Sequence, residues 1–139
     1  MKKKALTFLP VLLVLIVVLV HFLPKGGDVR IVRREIGDSV RFTAEDIEGA
    51  MQTAQEHFRK EFEGCTLLTI TYDEEYSDRL ASGWAENYGA KEAIVLYSSF
   101  FVGANAEACF NPNSTYSKWQ WILTRNQGED WVLQTWGYG

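Results

Sequence analysis

Side chains able to act as acid, base, nucleophile or metal ligand are few in this chain. There are two histidines, and His57 is the one outside the apolar N-terminal run. A general base needs a nucleophile or substrate in reach, and a zinc site needs three or four ligands. With a single histidine in the domain there is no H-E-x-x-H. No G-x-S-x-G or G-x-x-x-x-G-K-[ST] is present either. Hydrolase, kinase and zinc-protease chemistry lose support, and no catalytic residue, metal or cofactor is expected. His57 reads as a boundary histidine paired with Glu61 one helical turn later. Asp73, Glu74, Glu75 and Asp78 form an acidic cluster without the D-x-D-x-D-G spacing of a calcium loop, so they read as a solvated helix start. Cys65 and Cys109 are the two cysteines. A bridge between them would close about 45 residues and stabilise by roughly 3–4 kcal/mol. The other reading is two separate thiols.

Aromatic residues are the other chemical resource. Five tryptophans (Trp84, Trp119, Trp121, Trp131, Trp136) stand in the second half. Trp119, Trp121 and Leu123 share a strand face. Trp131 and Leu133 can pair across a hairpin. Such rings bind sugars or peptides, and they also cover a helix, each burying about 150–250 Å². Most are expected in the core, with Tyr72, Tyr97, Trp119 and Trp121 lining a ligand pocket between helix and sheet. Asn111-Pro-Asn-Ser-Thr115 reads as a structured turn.

These side chains need elements to hold them. Thr43-Ala-Glu-Asp46 has the form of a capping box. Ile47, Ala50, Met51, Ala54, Phe58 and Phe62 recur at three- and four-residue steps, which predicts a helix over 44–63. Cys65–Tyr72 alternates, with Leu68, Ile70 and Tyr72 on one face. Residues 73–88 place Tyr76, Leu80, Trp84 and Tyr88 on a second helical stripe. Glu92–Val102 is apolar on both faces and predicts a central strand. Tyr116–Arg125 and Trp131–Gly137 form a hairpin. Residues 28–39 read as an edge strand or extended lead-in. The expected fold is α+β, with one long helix packed on a curved antiparallel sheet, an NTF2-like or cystatin-like cone.

The N-terminus sets an address. Ala5–Leu23 is apolar except for Thr7 and His21, behind Lys2, Lys3 and Lys4. Nineteen helical residues would span roughly 28 Å, near the thickness of a bilayer core. A transmembrane anchor is expected over 1–24, followed by a linker at 25–41 and an extracytoplasmic domain at 42–139. A cleaved signal peptide is the rival, but no small-x-small site follows. The positive-inside rule would keep the N-terminus cytoplasmic in a single-pass cell-membrane protein. The first 27 residues carry four lysines and no acid. Residues 28–139 carry ten Lys/Arg against eighteen Asp/Glu, a net charge of −8. That argues against nucleic acid, and none is expected as a partner.

Several segments carry a family resemblance: Gly64-Cys65-Thr66-Leu67, Tyr72-Asp73-Glu74-Glu75, Glu92-Ala93-Ile94-Val95-Leu96, Asn111-Pro-Asn-Ser-Thr-Tyr116, Trp119-Gln-Trp121-Ile122-Leu123 and Trp136-Gly137-Tyr138. From about Phe42 to the C-terminus the chain resembles small exported proteins of clostridia and relatives, a domain of unknown function. The resemblance implies an NTF2-like fold and an exported address, and it carries no catalytic residues. The expected function is a membrane-anchored, non-enzymatic binding module at a bacterial surface, with a protein, peptide or envelope partner. The alternatives are a small-ligand enzyme using His57 or Asp73 with Tyr97 in the cone, or an immunity or stress protein.

Overall fold

Thr43 opens the long helix. Its hydroxyl accepts from the Asp46 amide, and the Asp46 carboxylate accepts from the Thr43 amide, both at 3.1 Å. Two amides without helical partners are thereby bonded. The computed structural model describes residues 8–21, 26–106 and 109–138. In chain order the elements are α1 (Phe8–His21), β1 (Arg33–Ile36), α2 (Ala44–Glu61), β2 (Cys65–Tyr72), α3 (Glu74–Asn87), β3 (Glu92–Val102), β4 (Ser114–Arg125) and β5 (Val132–Gly137). The strands make one sheet in the order β1-β2-β3-β4-β5. β1 runs parallel to β2, and every other pairing is antiparallel.

One face of the sheet is the main core. Ile47, Met51 and Phe58 of α2 lie against Leu67, Ile70, Leu96, Phe100 and Trp121, all fully buried. Each such side chain contributes about 1.5–3 kcal/mol of burial. β2 carries a bulge between Leu67 and Thr69. The extra residue resets the alternation, so Leu67 enters the core and the expected Leu68 stays half-buried.

α3 covers part of the opposite face. It buries Ser77, Ala81 and Ala85 against Ala93 and β3. Ser77 Oγ accepts from the Val95 amide at 3.0 Å, beyond the last residue of β3 paired with β2. The Tyr76, Leu80, Trp84 and Tyr88 stripe is therefore not the buried one. Close approach of a helix to a sheet takes small residues, and the large side chains flank the contact.

The expectation of an N-terminal transmembrane helix is corrected. α1 has 14 residues, which at about 1.5 Å each is roughly 21 Å against a hydrocarbon core of about 30 Å. No helix among the described residues is long and apolar enough to cross a membrane, and the longest, α2, has 18 residues. The single-pass membrane address, with cytoplasmic N-terminus and extracytoplasmic domain, loses its structural basis with it. The Lys2–Lys4 run and the last two residues of the apolar run, 22–23, lie outside the described residues. The cone is corrected as well. The fold is α+β, but the sheet carries a helix on each face and a parallel edge strand.

The segment expected as a linker is threaded into the fold. The Gly27 amide donates to the Arg59 carbonyl at 3.0 Å. The Asp28 amide donates to Cys65 O at 2.9 Å, and Asp28 O accepts from Leu67 N at 2.8 Å. A Cβ on Gly27 would stand 2.4 Å from the Phe58 carbonyl oxygen.

Candidate functional site

A concave feature lies between the outer side of α2 and the β4–β5 turn. It is an open cleft of about 440 Å³ lined by Glu45, Asp46, Gly49, Gln52, Thr53, Glu56, Arg125, Glu129, Asp130 and Trp131. The helical members recur at three- and four-residue steps, so α2 offers them along one face. Gly49 keeps the floor low, since a Cβ there would touch Trp131 at 3.7 Å.

Arg125 organises one end. Its Nη1 donates to Asp46 Oδ1 at 2.8 Å, and its Nε donates to Glu92 Oε1 at 3.0 Å. The guanidinium carbon sits 4.1 Å from the Trp131 ring centre, a cation–π contact. Trp131 Nε1 donates to the Asp46 carbonyl at 2.8 Å. The Arg125 bond, followed by those from Thr43, holds the Asp46 carboxyl below its usual range despite the opposing effect of burial. Asp46 thus caps α2, neutralises Arg125 and anchors Trp131. The other acids of the cleft, Glu45, Glu56, Glu129 and Asp130, have no cation within ion-pair distance among the described residues. Glu56 accepts from Gln52 Nε2 at 3.3 Å. Among the described residues no group of three or more His, Cys, Asp or Glu has the geometry to hold a metal ion.

The four residues expected to line a pocket do not meet around one cavity. Tyr72 and Trp121 are fully buried on the α2 side. Tyr72 donates to Glu74 Oε2 at 3.2 Å, and Trp121 Nε1 donates to Ser98 Oγ at 2.9 Å. Burial pushes the Tyr72 hydroxyl up. Trp119 lies on that side too, half-buried, with its Nε1 buried and no partner among the described residues. Tyr97 faces the other way, paired with Thr71 and Gln120 and packed edge-on against Tyr76 at 4.9 Å. The space between α2 and the sheet is filled by aromatic rings. Phe58 stacks on Phe62 at 4.6 Å, and Phe62 meets Trp121 at 5.5 Å.

His57 packs its ring 3.9 Å from that of Trp136, and its Nε2 is buried without a partner among the described residues. Burial lowers its pKa, Glu61 opposes this, and Lys60 adds to it. Cys65 is buried and Cys109 is exposed, and the two thiols are not joined. The acidic cluster pins the lead-in. Asp73 caps α3 by accepting from the Tyr76 amide at 2.8 Å. Glu74 accepts from the Ser39 hydroxyl and from the Val40 and Arg41 amides, and Asp78 pairs with Arg41 at 2.6 Å. The Asn111–Thr115 segment is a structured turn, in which Ser114 Oγ donates to Asn111 O and Asn113 adopts φ 55°.

Sequence reasoning passed over Arg125 and the second and third roles of Asp46, and it gave Trp131 to the hairpin rather than to a cleft wall. The available signal was a lone strand-end arginine beside the turn acids Glu129 and Asp130. No family model matches the chain, nor does any curated protein or solved structure.

Proposed function

We propose that the chain is a non-enzymatic binding module whose ligand is a basic stretch of a protein or peptide partner, held in the α2/β4–β5 cleft. One observation carries the reading. Five carboxylates border an open cleft, four of them without an ion-pair partner among the described residues, and the one cation of its lining, Arg125, is already bonded to Asp46 and Glu92. Like charges gathered in one concavity raise the local potential, and a cationic guest lowers it. The flat Trp131 edge and the Gln52 and Thr53 side chains add apolar and polar contact. The filled space between α2 and the sheet supports a binding role over an enzyme with a pocket inside a cone, because the rings of Phe58, Phe62 and Trp121 occupy the place of a substrate. His57 faces Trp136 rather than a cavity.

Calorimetric titration with hexa-arginine tests this. Replacing Glu129→Gln together with Asp130→Asn is expected to weaken binding by about tenfold, from two partly screened charge contacts of about 0.2–1 kcal/mol each. Equal affinity of wild type and variant, or equal affinity for hexaglutamate, overturns the reading.

A further inference from the structure

On the sheet face that α3 covers only in part, Lys118 stands in a conformation suited to glycine. It has φ 57°, and Asn113 is the other described non-glycine residue with positive φ. β4 carries an extra residue at this point, because Ser98 pairs with Trp119 while Phe100 pairs with Tyr116. A left-handed residue in a strand bulge crowds its Cβ against a carbonyl, which is why glycine is favoured there. Strain of this kind persists where a side chain has a task.

The side chain is carried toward two tyrosines. Lys118 Nζ lies 3.9 Å from the Tyr97 ring centre and 5.8 Å from that of Tyr76. The Arg79 guanidinium also stands 5.8 Å from the Tyr76 ring. Gln120 Nε2 donates to the Tyr76 hydroxyl oxygen at 2.6 Å, which leaves the phenol hydrogen to donate elsewhere. Two cations thus share one aromatic pair in a domain of net charge −8. The acid nearby, Glu75, lies 3.5 Å from Arg79 with a side chain 87% exposed. No carboxylate reaches ion-pair distance of Lys118 among the described residues.

We propose that Lys118 Nζ and the Tyr76 hydroxyl, with Arg79 alongside, bind the oxyanion of a ligand, a carboxylate or a phosphate, at a site separate from the acidic cleft. The ammonium and the phenol supply donors, Tyr97 orients the ammonium, and the bulge aims it.

The test is amide-resolved NMR titration of the full chain with sodium phosphate and, separately, sodium succinate, each at constant ionic strength set with chloride. Saturable shifts at Tyr76, Tyr97 and Lys118 are expected with at least one anion. Lys118→Gly is expected to weaken that binding tenfold or more while melting at the same or a higher temperature, since it relieves the left-handed strain. Tighter succinate assigns a carboxylate ligand, and tighter phosphate assigns a phosphate ester. Three results overturn the proposal: no saturation with either anion, undiminished binding by Lys118→Gly, or a lower melting temperature for that variant. The last would make Lys118 a structural strut on Tyr97.

Discussion

Arg125 joins three parts of the molecule through one side chain that is 14% exposed. Removing it leaves Asp46 and Glu92 without their cation and Trp131 without its stacked partner. Arg125→Met is expected to cost about 2–3 kcal/mol in denaturant unfolding, below the 3–5 kcal/mol typical of a fully buried pair because both acids remain partly wet. The acid limb of stability changes too. Asp46 has a folded pKa below its unfolded value, so its contribution is present above the unfolded value and lost as pH falls through the folded one. Arg125→Met should flatten that limb, and an unchanged limb would contradict the assignment. His57 acts at higher pH. Burial lowers its folded pKa, so the unfolded chain takes the proton first. Stability from this group is full above about pH 6.5 and declines as pH falls below that. Glu61 and Lys60 are the charged neighbours that set the size of the effect. Melting temperatures at pH 7 and pH 5 should differ less in His57→Phe than in wild type, and equal differences would contradict the reading. Such roles are only partly legible in a sequence. The Thr43–Asp46 capping box was readable because its partners are three residues apart. The Asp46–Arg125 and Asp46–Trp131 bonds join residues 79 and 85 positions apart, and no local pattern signals them.

At the scale of elements, the periodic stripe of α2 predicted both the helix and its buried face, since Ile47, Ala50, Met51, Ala54 and Phe58 are all buried. α3 shows where that logic fails. Its aromatic stripe looked like the packing face, but the contact is made by Ser77, Ala81 and Ala85, because a helix sits close on β3 only through small residues. The bulges in β2 and β4 were equally hidden, since an inserted residue leaves the alternation intact on either side. The N-terminal run illustrates a different limit. A run of nineteen positions, seventeen of them apolar, measures composition, whereas crossing a bilayer depends on the number of helical turns, and α1 has 14 residues. Gly27 is a further element-scale determinant, because it lets the chain pass over the C-terminal end of α2. Gly27→Ala places a carbon 2.4 Å from the Phe58 carbonyl oxygen and 2.5 Å from its ring. A loss of about 2–3 kcal/mol is expected from the denaturant midpoint, as for overpacking elsewhere. An unchanged midpoint would mean that residues 26–28 are not held against α2.

At the scale of the whole molecule, an acidic concavity lies at the meeting of α2, the end of β4 and the turn before β5. The three segments come together because Arg125 and Trp131 both bond to Asp46, so the geometry that stabilises the fold also builds the cleft. The net charge of −8 in residues 28–139 favours approach of a basic partner and makes association sensitive to salt. Trp131 supplies a direct reporter, since its indole N–H is bonded within the cleft wall and gives its own NMR signal among five tryptophans. The decisive measurement is the indole region of the ¹⁵N–¹H spectrum during titration with hexa-arginine. A saturating shift of the Trp131 signal with Trp84 unmoved is expected, and loss of that shift in Glu129→Gln/Asp130→Asn. A static Trp131 signal at saturating peptide, or a shift confined to Trp119 and Trp136, would contradict it.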